Sequence, residues 1–186
     1  MTADLAMGES LFNAIKIDPN TRATAAVSIT ANGEVNLKFC GEYAISEESI
    51  QHEFYHLYQV FHNHISIGSM MTACSLNMEF EQALFQDIVK YVEIRGAWDA
   101  RDENGFLIYD HKWACWEYNP LGGTIGNQAD YMDWLGSLTH NGTKYPVNID
   151  RKEFNEWTLF FPSVKTAYVT FGFDENYCLT VLDALN

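Results

Sequence analysis

Four of the chain's six histidines fall in one stretch, SIQHEFYHLYQVFHNH, residues 49–64. Inside it His52, Glu53 and His56 form the pattern HExxH. On a helix, residues four apart lie one above the other, so two imidazoles at this spacing can hold one cation. Neutral imidazoles bind zinc and leave it enough charge to acidify water towards neutral pH. A carboxylate beside the first histidine can take the proton from that water and return it to a leaving amine. The chemistry expected is zinc-dependent hydrolysis, with Zn2+ as the cofactor and Glu53 as the proton carrier.

The stretch must be helical for this to work. Ser46 reads as an N-cap, and Glu47 and Glu48 follow in the first turn, where the helix dipole favours acids. The helix should run from about Glu47 to about His62. At about 100° per residue, Ile50, Phe54, Leu57 and Phe61 form a narrow apolar stripe expected to face the core. His52, His56, Gln59 and Asn63 share a second face, expected to turn away from the core. Glu53 falls between the two.

A catalytic zinc needs a third protein ligand and one open position. His62 stands where an HExxHxxGxxH pattern would put it, but the glycine that lets such a helix end is Gln59 here. If the helix runs on, His62 points about 120° from His56. The other candidates lie in NMEFEQALFQDIV, separated from His56 by the 22 residues Leu57–Met78. A second helix should start near Asn77 and continue to about Ile94, with Gly96 as its stop. On it Glu81 falls in the apolar face of Phe80, Leu84, Phe85, Ile88 and Val92, while Glu79 falls on the polar side with Gln82, Gln86 and Lys90. A carboxylate among apolar neighbours needs a partner or a metal, which favours Glu81.

This layout resembles the gluzincins, the thermolysin-like clan of zinc metallopeptidases, in which HExxH on one helix is completed by a glutamate on the next. Glu79-Phe80-Glu81 with Ala83 and Phe85 is similar to the ExE-A-F run of small peptidases of that type. The likeness covers residues 25–95, roughly 40% of the chain. Gln82 stands where the family has a small residue, and Asp87 does not follow either glutamate by four. The resemblance implies His52, His56 and Glu79 as ligands, with Glu81 supporting a ligand histidine. It also implies a peptide or protein substrate lying along an exposed sheet edge. Glu81 and His62 remain the alternative third ligands. Tyr118, Tyr131 and His140 are candidate stabilisers of the oxyanion, and nothing in the sequence chooses among them.

The remaining chain supplies the scaffold. Its 186 residues, 47% hydrophobic and 15% aromatic, suit one domain with a true core. We divide residues 1–186 into an N-terminal segment (1–22), a hairpin with the two ligand helices (24–96) and a C-terminal part (97–186). The net charge of −14 argues against nucleic acid and against an anionic membrane surface. No apolar run is long enough to span a bilayer, and no signal peptide is visible, which fits a cytoplasmic protein or an exported one with its signal removed. Cys40, Cys74, Cys115 and Cys178 form no CxxC pair and read as reduced residues, or as two disulfides after export.

Residues 1–22 read as a short helix and a loop at Asp18-Pro19-Asn20. Val27 and Ile29, then Val35, Leu37 and Phe39, alternate around Asn32-Gly33 as a hairpin. Residues 98–125 read as irregular and aromatic, with LGGTIGN as a turn without a phosphate-loop pattern. Helices are expected at about 127–138 and 151–161 (ended by Pro162), a strand at Ala167–Phe173, and a helix at about 175–185. The fold class is α+β and zincin-like: a small antiparallel sheet beside the HExxH helix and a glutamate-bearing helix. The function expected is peptide-bond hydrolysis. The alternatives are a catalytically silent binding or structural domain of the same build, or an effector or toxin protease of narrow substrate range.

Overall fold

The computed structural model describes residues 13–30, 32–63, 73–109, 113, 115 and 128–185. The fold is mixed α+β, and the chain divides into two compact units, Met1–Met70 and Met71–Asn186.

The first unit holds a three-stranded sheet and helix α1. Strands β1 (Ala14–Ile17), β2 (Ala25–Ile29) and β3 (Val35–Phe39) lie in the order β1-β3-β2. The β2–β3 hairpin is antiparallel, pairing Val27 with Leu37 and Ile29 with Val35. Gly33 takes a positive φ of 82° at its tip, as the Asn-Gly turn requires. The alternation of β3 puts Val35, Leu37 and Phe39 in the core, where Leu37 and Phe39 meet Ala25 and Ala44 with Ile50 packed against them. The sheet is mixed rather than antiparallel, because β1 runs parallel to β3, pairing Ile15 with Leu37. Residues 14–17 are therefore strand, not the helix expected in 1–22. Ile15 and Ile17 do alternate with Lys16 and Asp18, but the run is only four residues long and both isoleucines remain exposed, so the signal was too short to stand out. Asp18 closes the next turn by accepting from the Asn20 amide.

Helix α1 (Glu47–Asn63) begins as the sequence predicts, with Ser46 Oγ accepting from the Ser49 amide at 3.1 Å. Its buried face differs from the expected stripe. Leu57 is buried, but Phe61 is exposed while Glu53, Tyr55, His56, Gln59 and Val60 are covered. On the HExxH face His56 and Gln59 are thus buried, while His52 and Asn63 are half-buried.

The second unit is helical. Helix α2 (Ser75–Glu93) packs against α3 (Gln128–Thr139), α4 (Arg151–Val164) and the short α5 (Val181–Leu185). Phe80 anchors this core, its ring 5.2 Å from Phe154 and 5.5 Å from Phe161. Gly96 stops the segment after α2 at φ 71°, with Arg95 also left-handed. Helix α4 runs through Pro162, which sits in the last turn where one lost hydrogen bond is tolerated. The run Ala167–Phe173 is not a strand: a 3₁₀ turn at Thr166–Tyr168 stacks Tyr168 on Phe161 at 5.1 Å. Ring packing has overridden the β-branched composition there. The last helix is five residues rather than eleven, because 174–180 runs along α2 instead. LGGTIGN, Tyr118 and Trp116 lie outside the described residues. All four cysteines are thiols. No helix among the described residues is long and apolar enough to cross a membrane.

Candidate metal centre

Helix α1 presents its two histidines as a pair. The Nε2 atoms of His52 and His56 lie 3.0 Å apart, and the rings meet edge to face at 4.6 Å. His56 Nδ1 lies 2.8 Å from Gln59 Oε1. A carbonyl oxygen only accepts, so His56 carries its proton on Nδ1 and turns a lone pair at Nε2 towards His52. Gln59 is fully buried, which fixes the ring that it holds. Sequence reading placed Gln59 on this face but gave it no role. Its spacing three residues after His56 was the available signal.

Glu53 is 5% exposed, and its Oε2 accepts the Val27 amide at 2.8 Å. The hairpin register explains that bond. The Thr30 amide donates to Glu34 O and the Cys40 amide to Thr24 O across the hairpin, so Ala25, Val27 and Ile29 send their backbone groups to the outer edge of β2. The glutamate therefore clasps the middle of that edge to the helix.

His62 is exposed on the last turn of α1, beside Tyr58 and Asn63. The helix runs unbroken through Gln59.

On α2, the two glutamates have different surroundings. Glu81 is fully buried, and both of its oxygens accept from the segment after residue 176. Tyr177 Oη donates at 2.7 Å, Thr180 Oγ1 at 3.0 Å and the Val181 amide at 2.9 Å, with the Thr180 amide a fourth donor. These bonds satisfy the buried carboxylate, which the apolar-face argument assigned to a metal. Glu79 is partly exposed. His52 and His56 stand on α1 in the first unit and Glu79 on α2 in the second, and each is of a residue type able to bind a metal ion. Gln82, one turn beyond Glu79, is buried, and its Nε2 has no hydrogen-bond partner among the described residues.

The oxyanion candidates that are described are separately placed. Tyr131 is buried and donates to Asp87 Oδ2 at 3.0 Å; Asp87 also accepts the Cys115 amide at 2.8 Å. Burial, and then the Asp87 charge, push both the Tyr131 phenol and the Cys115 thiol well above their ordinary values. His140 is exposed in a left-handed turn after α3.

No protein-family model, curated protein or solved structure matches this chain.

Proposed function

We propose that the chain is a zinc-dependent peptide hydrolase of gluzincin type, with a zincin-like arrangement of sheet edge and HExxH helix. One observation carries the reading: two imidazole Nε2 atoms converge at 3.0 Å, one of them fixed in the metal-binding tautomer by a buried glutamine. Ligands on a tetrahedral zinc at bond lengths near 2.0–2.1 Å stand roughly 3.3 Å apart, so this pair needs little movement to share an ion. Two imidazoles and one carboxylate suit zinc better than calcium or magnesium. We assign Glu79 as the third ligand, and the committed hydrogen bonds of Glu81 support that choice.

Zinc bound there supplies a Lewis acid that activates water and polarises a peptide carbonyl. The chain's own residues do the rest. His56, held by Gln59, keeps its donor lone pair aimed. Glu53 accepts the proton of the attacking water and passes it to the departing amine nitrogen as the C–N bond breaks. The outer edge of β2 offers backbone groups of Ala25 and Ile29 on either side of the Val27 amide, where an extended peptide can pair.

The Val27–Glu53 bond also favours a second reading, in which the domain binds zinc and peptide without cutting because its base serves as a clasp. Digestion of a mixed peptide library by wild type and Glu53→Gln separates the two. Hydrolysis predicts cleavage by wild type and a loss on the order of 10²–10⁴ in the variant with zinc retained. Zinc-loaded wild type that cuts nothing supports the second reading.

A further inference from the structure

We propose that the C-terminal strap, residues 172–181, is a positioning device for Glu79; the inference rests on the zinc-site reading above. The strap is laced to the N-terminal half of α2, the part of the helix that carries Glu79. At the helix start, the Leu76 amide donates to Gly172 O at 2.8 Å, and the Gly172 amide donates to Ser75 Oγ at 3.0 Å. At the next residue, Asn77 and Asp174 bond reciprocally: Asn77 Nδ2 donates to Asp174 O at 3.0 Å, and the Asp174 amide donates to Asn77 Oδ1 at 2.8 Å. A turn further, Glu81 collects its four donors from Tyr177, Thr180 and Val181.

Helix geometry gives this lacing its meaning. Asn77 and Glu81 are four apart and share one face within about 40°, whereas Glu79 lies about 160° from each. Both strap-facing side chains are fully buried and Glu79 is not. An apolar face would let the helix slide or turn against its support at small cost, because burial is not directional. Asn77 and Glu81 accept one register only, since any other would strand a buried amide or carboxylate. A shift of α2 by a single residue would swing Glu79 by about 100° and carry it off the opposite face. The strap thus fixes the rotation and height of the helix, and with them the direction in which Glu79 presents its carboxylate.

The test is zinc affinity of the full chain, measured by chelator competition at a temperature well below unfolding. Tyr177→Phe with Thr180→Val removes the strap's two hydroxyl donors to Glu81 while touching no proposed ligand. We expect zinc binding to weaken by roughly 10–100-fold, as when a group orienting a ligand is lost. The cobalt-substituted protein should show a changed visible spectrum. In a Glu79→Ala background the same pair of substitutions should leave the residual affinity unchanged, because the coupling runs through Glu79. If the double variant does not fold, Tyr177→Phe alone stands in, with a loss of about 3–10-fold expected. A lowered Tm with unchanged zinc affinity and cobalt spectrum would overturn the positioning role and leave the zinc site standing. Equal weakening with and without Glu79 would overturn it too. Wild type that binds no zinc would overturn the site reading itself, and this inference with it.

Discussion

Gln59 holds His56 from one turn along the same helix, Oε1 to Nδ1 at 2.8 Å, with Gln59 fully buried. The bond chooses the tautomer, so the proton sits away from His52 and the lone pair faces it. Replacing Gln59 with leucine keeps the volume and loses the acceptor. Zinc affinity should fall about 10–100-fold, and Gln59→Glu should restore most of it, since a carboxylate also accepts from Nδ1. Chelator competition measures both. Equal affinity in Gln59→Leu would mean the tautomer needs no support.

Gln82 makes the opposite case. Its Nε2 is buried without a partner among the described residues, and a lone buried donor costs about 1–3 kcal/mol. Gln82→Met removes the amide at similar length, so unfolding by urea should show a gain of roughly 1 kcal/mol. A loss of stability would show that the amide is satisfied in solution. A gain in stability accompanied by a loss of peptide cleavage would place the amide in the functional site.

Tyr131 and Cys115 set an alkaline limit. Both are held neutral in the fold above their ordinary values of 10.0 and 9.0. The unfolded chain therefore loses these protons first as pH rises, and unfolding is favoured. Their contribution is fully present below about pH 9 and is lost as pH climbs through the raised folded values. Tyr131→Phe should be less stable than wild type at pH 8 by about 1–3 kcal/mol, because Asp87 loses a donor. That gap should shrink above pH 10, where only wild type has this phenol to ionise. A gap independent of pH would contradict the assignment.

Gly142 is a packing constraint. It has φ 74°, and a Cβ built on it would stand 2.3 Å from the Gly96 nitrogen. Gly142→Ala combines left-handed strain with backbone overlap and should cost roughly 2–5 kcal/mol. Thermal unfolding checks this. A cost below 1 kcal/mol would mean the 95–96 and 141–142 turns move apart freely.

These cases mark what the residues disclose in sequence. Ser46, Asn32-Gly33 and Gly96 act through local backbone chemistry, so their roles as cap, turn and stop were legible and the elements between them followed. The HExxH pair was legible for the same reason, because i and i+4 on a helix must converge. Which face of α1 is covered was not, since Gln59 and His56 are buried through a bond to each other that makes polar residues acceptable inside. Glu81 misled for a related reason. Its apolar setting implied a metal, but its partners are about 100 residues away, at Tyr177, Thr180 and Val181. The strand at Ala14–Ile17 was hidden because it skips β2, the next strand in sequence, to pair with β3, and because it exposes its isoleucines.

Zinc content tests the central claim most directly. Protein dialysed against zinc buffer and then against buffer alone should carry about one zinc per chain, the stoichiometry of a three-ligand site. His52→Ala, His56→Ala and Glu79→Ala should each lose it, while His62→Ala keeps it. Glu81→Gln should keep it as well, since its oxygen can still accept from the Thr180 and Val181 amides. Wild type without zinc, or His52→Ala with a full complement, would contradict the account.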